Sequence, residues 1–274
     1  MHSKALSTYA AIEVSTAICF ATFSNEKNGI DKEIDMIEMA LISQRAEHNF
    51  IGVKCGIMDQ FASAMGKSDH AIYLNCSTLE YEHIPLKLDN YKFVLTNTNV
   101  KHSLGSSKYN ERRAECEEGL NALKTVLPDI TQLADVTIEQ FEQYKDVIKN
   151  EITRKRIKHV VYECDRVRKS AEAMKNNDIA LFGQYMNESH DSLQYDYEVS
   201  CSELDYVVNK GRKIEGVFGI RMTGAGFGGC TIAIIKNSAV DKYVERIGVL
   251  FEEKFGYKAS FYVTCTGDGG REIC

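Results

Sequence analysis

Four glycines fall within six positions in the stretch Arg221-Met222-Thr223-Gly224-Ala225-Gly226-Phe227-Gly228-Gly229-Cys230, and the apolar run Thr231-Ile232-Ala233-Ile234-Ile235 follows at once. This is the pattern of a bare-backbone loop feeding a buried strand. Glycine admits positive φ and lets main-chain amides approach a ligand, at about 0.5–1 kcal/mol per residue relative to alanine. Contact with phosphate or sugar is the chemistry such a loop offers. A tight turn with close strand packing is the alternative.

A second candidate is Cys55-Gly56-Ile57-Met58-Asp59-Gln60-Phe61. A glycine at the mouth of a helix leaves the first amides open. Asp59 then lies in the first turn, where the helix dipole favours a carboxylate by about 0.3–1 kcal/mol. Flanked by Ile57, Met58 and Phe61, that carboxylate is placed to accept a hydroxyl proton or to orient a nucleophile. An N-terminal helix charge with no other duty is the competing reading. A third segment, Asn97-Thr98-Asn99-Val100-Lys101-His102-Ser103-Leu104-Gly105-Ser106-Ser107-Lys108-Tyr109, reads as a small polar loop directly after a strand, a common ligand-contacting position. Arg112 and Arg113 follow on a helix and read as surface charges.

Together the three segments resemble the galactokinases of the GHMP small-molecule kinase superfamily. CGIMDQF is similar to the catalytic segment, TNTNVKHSLGSSKYNERRAECEE to the following strand and sugar loop, and RMTGAGFGGC to the third superfamily motif. The resemblance runs from about Leu6 to the end. It implies transfer of the γ-phosphoryl group of Mg-ATP to galactose or a close analogue. Asp59 matches the aspartate that meets the sugar C1 hydroxyl, Gly56 a glycine touching the sugar, and Tyr109 a tyrosine bonded to a sugar hydroxyl. Gly224, Ala225, Gly226 and Gly228 match the loop beside the nucleotide phosphates. The implied cofactors are ATP and Mg2+; no metal ligand is assigned.

The resemblance also implies a glycine-rich phosphate loop ahead of an alanine-rich helix. The corresponding stretch is Ser3-Lys4-Ala5-Leu6-Ser7-Thr8-Tyr9-Ala10-Ala11-Ile12-Glu13, with Ser3 and Ala5 in place of glycines and Tyr9 in place of a small hydroxyl residue. Ser7 and Thr8 keep hydroxyls, so the expectation is a degraded phosphate loop. The family's N-terminal sugar-binding signature has no counterpart in these residues. Apolar faces of helices near the N-terminus should then be uncovered and open to self-association, and the isolated chain should phosphorylate galactose poorly. The alternative is a catalytically silent sugar-sensing or protein-binding module.

The elements that must position these residues follow from periodicity and punctuation. Ala10–Phe23 reads as a helix buried on most sides, broken by Asn28-Gly29. Residues 32–49 read as a second helix, also buried on more than one side, and 56–66 as a third. Strands are expected at 71–75, 81–86 and 92–98, then helices at 111–127, 152–175, from an Asp178 N-cap to His190, and 202–214. Strand, glycine loop, strand, helix (239–255) and strand (260–265) complete the chain, with Gly256 at a C′ position. The fold class is α+β, a two-domain GHMP-kinase-like sandwich. Residues 1–90 are an incomplete N-terminal domain, and residues 91–274 a ferredoxin-like C-terminal domain with extra helices.

Bulk properties agree with a globular protein. The 274 residues are 44% hydrophobic and 26% charged, and the net charge of -6 argues against nucleic acid or an anionic membrane as the main partner. Nine cysteines without CxxC spacing point to reduced thiols and a cytoplasmic protein.

Overall fold

The computed structural model describes residues 8–100 and 105–271; Ser7 and residues 101–104 lie outside them. The chain divides into two compact units, Met1–Asp89 with Cys265–Cys274, and Asn90–Thr264.

The first unit opens with helix α1 (Thr8–Asn28), then α2 (Met36–Ala46), whose last turn widens into a π-helical turn at Glu47–Ile51, then α3 (Met58–Met65) and the hairpin β1 (His70–Leu74) and β2 (Tyr81–Pro85). Helix α2 begins later than the sequence pattern suggests because Asp35 caps it, accepting from the amides of Ile37 and Glu38 at 3.0 and 3.1 Å. Val14 and Ile18 of α1, Met39 and Ala40 of α2, and Ile57, Phe61 and Ala64 around α3 form the core of this unit. The expectation that α1 is buried on most sides is corrected here. Ala10, Val14 and Ile18 turn inward, with Ala17 and Ala21 packed partly against the same core, whereas Tyr9, Ile12, Phe20 and Phe23 remain exposed, Phe20 by 72%.

Residues 265–271 belong to this first unit and not to the second, a correction to a boundary at residue 90 alone. Backbone polarity explains it. The tail satisfies amides that the α3–β1 turn would otherwise leave open: Ser68 N–H donates to Asp268 Oδ1 at 2.9 Å and Asp69 N–H to Thr266 Oγ1 at 2.8 Å. Gly269 N–H in turn donates to Gly66 O at 2.8 Å.

The second unit contains β3 (Tyr91–Asn97), α4 (Gly105–Lys124), α5 (Ile138–Tyr144), α6 (Glu151–Lys175), α7 (Ile179–Tyr195) and α8 (Ser202–Gly211), then β4 (Val217–Thr223), β5 (Cys230–Lys236), α9 (Val240–Phe255) and β6 (Ser260–Thr264). Its sheet has the order β4-β5-β3-β6, and all three neighbouring pairs are antiparallel. That is the expected ferredoxin-like order, with the β4–β5 hairpin joined by the glycine loop. Val94, Ile220, Ala233 and Ile235 of the sheet pack on Val207, Val208, Tyr243, Ile247 and Phe251 of α8 and α9. A second core lies among α4, α5 and α6, around Leu123, Phe141, Ile157 and Val161. Asp178 caps α7, accepting from Leu181 N–H at 2.9 Å, and Gly256 ends α9 at φ 77°.

Strand β4 lies at the edge of the sheet, yet its outward amides are not left open. The Asn187 and His190 side chains of α7 accept from the Ile220 and Met222 N–H groups at 3.0 and 3.2 Å, so the helix stands where another strand would pair. This requires close approach. A Cβ on Gly183 would meet Phe218 O at 2.4 Å and one on Gly219 would meet Gly183 O at 2.3 Å. Among the described residues no disulfide joins any cysteines, and no helix is long and apolar enough to cross a membrane.

Gly183→Ala should therefore push α7 off β4 and destabilise the protein by about 1–3 kcal/mol, read as a lower urea midpoint at constant slope. An unchanged midpoint would show that the helix–strand approach is not tight.

Candidate active site

In the first unit the candidate carboxylate stands as the sequence places it. Gly56 is exposed just ahead of α3, Ile57 is the N-cap position with φ -85° and ψ -5°, and Asp59 occupies the first turn. Ile57, Gln60 and Phe61 are buried beneath it while Met58 is exposed, so the helix is anchored by one face and presents its first turn outward. Asp59 is half-buried. Among the described residues its carboxylate takes part in no hydrogen bond or ion pair, which leaves its lone pairs available to a hydroxyl.

Sequence reasoning missed a second acidic feature of this unit. Glu13, in the second turn of α1, lies against Glu47 at the start of the π-helical turn, with the Gln60 amide donating to it; burial and Glu47 push the Glu13 carboxyl up to about 7. Glu13 Oε2 and Gln60 Oε1 are both buried without a hydrogen-bond partner among the described residues. The pair offers two carboxylates to a hard divalent cation, and among the described residues no group of three or more His, Cys, Asp or Glu side chains could hold a metal ion. No spacing signal marks the pair, since 33 residues separate the two glutamates and only the packing of α1 beside α2 joins them. Cys55 sits in the same environment, its thiol raised by burial and by Glu47. The expected phosphate-site residues are described only in part: Ser7 lies outside the described residues, and Thr8 is the first residue of α1.

The second unit holds the glycine loop. Gly224, Gly226, Phe227, Gly228 and Gly229 all have positive φ, from 59° to 130°. Gly224 and Ala225 are exposed at the tip, while Gly226 and Gly228 are buried. A Cβ on Gly226 would meet Val199 O at 2.2 Å, whereas Gly224 has open space around it. The same Val199 O accepts from Phe227 N–H at 2.6 Å. At the loop's far end Gly229 O accepts from both the amide and the hydroxyl of Thr98, at 2.9 and 2.8 Å. The exposed tip is thus tied down by hydrogen bonds at both flanks.

Tyr109 is not in a loop. Helix α4 already begins at Gly105, so Tyr109 is half-buried in its second turn; the polar run lacks prolines and propagates as helix once it has a packed partner. Lys108 Nζ lies 5.2 Å from the Phe227 ring centroid and the Arg112 guanidinium 6.0 Å, which brings the start of α4 beside the glycine loop. Arg112 is also corrected from a surface charge to a buried one at 9% exposure, while Arg113 is exposed.

Comparison with known proteins bears on the family. The GHMP kinases N terminal domain matches residues 5–67, and GHMP kinases C terminal matches residues 170–248. The chain is 46% identical over 273 residues to a galactokinase of Clostridium acetobutylicum, covering 99% of this chain and 68% of that protein. It is 46% identical over 268 residues to a galactokinase of Bacillus subtilis, covering 98% and 67%. The crystal structure of Lactococcus lactis galactokinase complexed with galactose is similar with a TM-score of 0.92 at 38% identity, over 98% of this chain and 68% of that one. The chain spans about two thirds of the length of these relatives. On this similarity over nearly its whole length, the chain belongs to the galactokinase family of the GHMP kinases.

Proposed function

We propose that the chain is a galactokinase, transferring the γ-phosphoryl group of ATP to the C1 hydroxyl of galactose. The observation that carries this reading is the Asp59 carboxylate, half-buried at the mouth of α3 beside Gly56 and without a protein partner among the described residues. Asp59 accepts or polarises the C1 hydroxyl proton as that oxygen attacks the γ-phosphorus; the bond from phosphorus to the bridging oxygen breaks, and ADP leaves with the electron pair. Phosphoryl transfer asks a protein mainly for alignment and charge stabilisation. The exposed glycine tip of the hairpin suits the nucleotide phosphates, and Tyr109 suits a sugar hydroxyl. Support comes also from the relatives of that name and the galactose complex of the Lactococcus protein.

Two carboxylates and an orphaned oxygen support magnesium as the companion of ATP. Glu13 and Glu47 would hold it, because a divalent cation removes the repulsion between the two carboxylates and occupies the orphaned Glu13 oxygen. When bound it neutralises charge on the phosphates. The exposed stripe of Tyr9, Ile12, Phe20 and Phe23 along α1 supports self-association through that helix. Its reading is sedimentation: the coefficient should rise with concentration, and Phe20→Ser should hold it at the monomer value.

Galactose-dependent, magnesium-dependent ADP release should fall by about 10²–10⁴-fold in Asp59→Asn with thermal stability unchanged. Undiminished turnover in that variant would remove Asp59 from the chemistry. Absence of turnover in the native chain would favour the silent module.

The Glu13–Glu47 pair sets a pH dependence. Glu13 binds its proton more tightly folded, at about 7, than at its ordinary 4.5, so stability falls as pH rises through that interval. Glu13→Gln should flatten this loss, its unfolding midpoint exceeding that of the native protein at pH 8 and differing little near pH 4.5. Parallel curves would show that the two carboxylates do not share a proton.

A further inference from the structure

The buried arginine of α4 and a second one on α6 meet at one turn. Arg156 is 2% exposed. Its Nε and Arg112 Nη1 both donate to the same Glu115 oxygen at 3.0 Å. From this shared carboxylate the two guanidinium groups reach the segment that follows α7. Arg156 Nη1 donates to Asp196 O at 2.7 Å, Arg112 Nε to Tyr197 O at 2.9 Å and Arg112 Nη2 to Glu198 O at 3.3 Å. Arg156 Nη2 also donates to the Glu198 carboxylate at 2.8 Å.

Three successive carbonyls are therefore taken by guanidinium donors, and the fourth, Val199 O, is the acceptor for Phe227 N–H in the glycine hairpin. The Val199 amide is itself fixed, donating to Leu193 O at 3.1 Å. Glu198 and Phe227 are both non-glycine residues with positive φ, 54° and 59°. Such conformations persist where the surroundings over-determine them. Here the surroundings are one chain of contacts from α4 and α6, through the turn, to the hairpin. Arg112 touches it twice, at the turn and over the Phe227 ring.

We propose that Arg112 and Arg156 are positioning residues for nucleotide binding, fixing the glycine hairpin through the turn at residues 196–199. This rests on the reading of the hairpin as the loop that meets the phosphates. A guanidinium is required because its planar fork supplies several donors in fixed directions, whereas an ammonium is a single point charge. Arg112→Lys keeps the charge and loses the bridge between two carbonyls and a carboxylate.

The test measures amide hydrogen exchange at residues 224–229, with α9 as internal reference. It also measures affinities for galactose and for a non-hydrolysable ATP analogue with magnesium, in the native chain and in Arg112→Lys. Exchange at Phe227 should quicken by at least about tenfold while α9 is unchanged. The analogue should bind roughly tenfold more weakly with galactose affinity within about twofold. Glu115→Gln, which leaves both arginines in place, should give the same ordering if Arg112→Lys does not fold. Unaltered Phe227 exchange overturns the linkage. Faster exchange with unaltered analogue affinity overturns the nucleotide role, and an equal rise across α9 with equal weakening of both ligands marks general loosening and overturns both. If the native chain binds no analogue the kinase reading has failed, and the exchange comparison alone then decides the linkage.

Discussion

Five of the six residues between β4 and β5 have positive φ, and this backbone constraint governs much of the second unit. Four of the five are glycines, for which the conformation is inexpensive; Phe227 is not, and an L residue there is strained by roughly 1–2 kcal/mol. Its amide is consequently held by a short bond to Val199 O, and its ring is covered by Lys108 and Arg112. A hairpin so fixed keeps β4 and β5 in register, and β5 is the most deeply buried strand of the sheet. The flanks of the exposed loop tip are tied at Val199 and Thr98.

Two buried charged groups, one in each unit, are treated in opposite ways. In the second, the buried Arg156 guanidinium is matched by Glu115, Glu198 and a backbone carbonyl. Breaking such a set leaves an uncompensated charge, whereas forming it adds little net stability; its effect is to specify geometry. In the first unit the Glu13 carboxylate is not matched by a cation. Glu13 faces another carboxylate, keeps an orphaned oxygen and holds its proton to about 7. Unmatched and perturbed acids concentrate at functional sites. The contrast separates residues that hold the loop from residues suited to a cation.

Much of the fold was legible in the residues because the signals are local. The glycine cluster, the strand run after it, the Asp178 cap and the Gly256 terminus each follow from φ preferences or from short-range hydrogen bonding, and each stands where the sequence put it. The first turn of α3 with Asp59 is of the same kind. The family resemblance drew on those same segments.

What tertiary structure alone decided is which surfaces are covered and which distant groups meet. Helix α1 is apolar almost all round, so its composition could not say that Phe20 and Phe23 face outward while Val14 and Ile18 face in. Arg112 has the look of a solvated charge until α6 and the turn after α7 close over it. Glu13 and Glu47 become a pair, and residues 265–271 join the first unit, only through contacts between residues far apart in the chain. Local propensity acts over a few residues, whereas burial and charge pairing depend on every element that packs nearby; a linear pattern carries the first and is silent on the second.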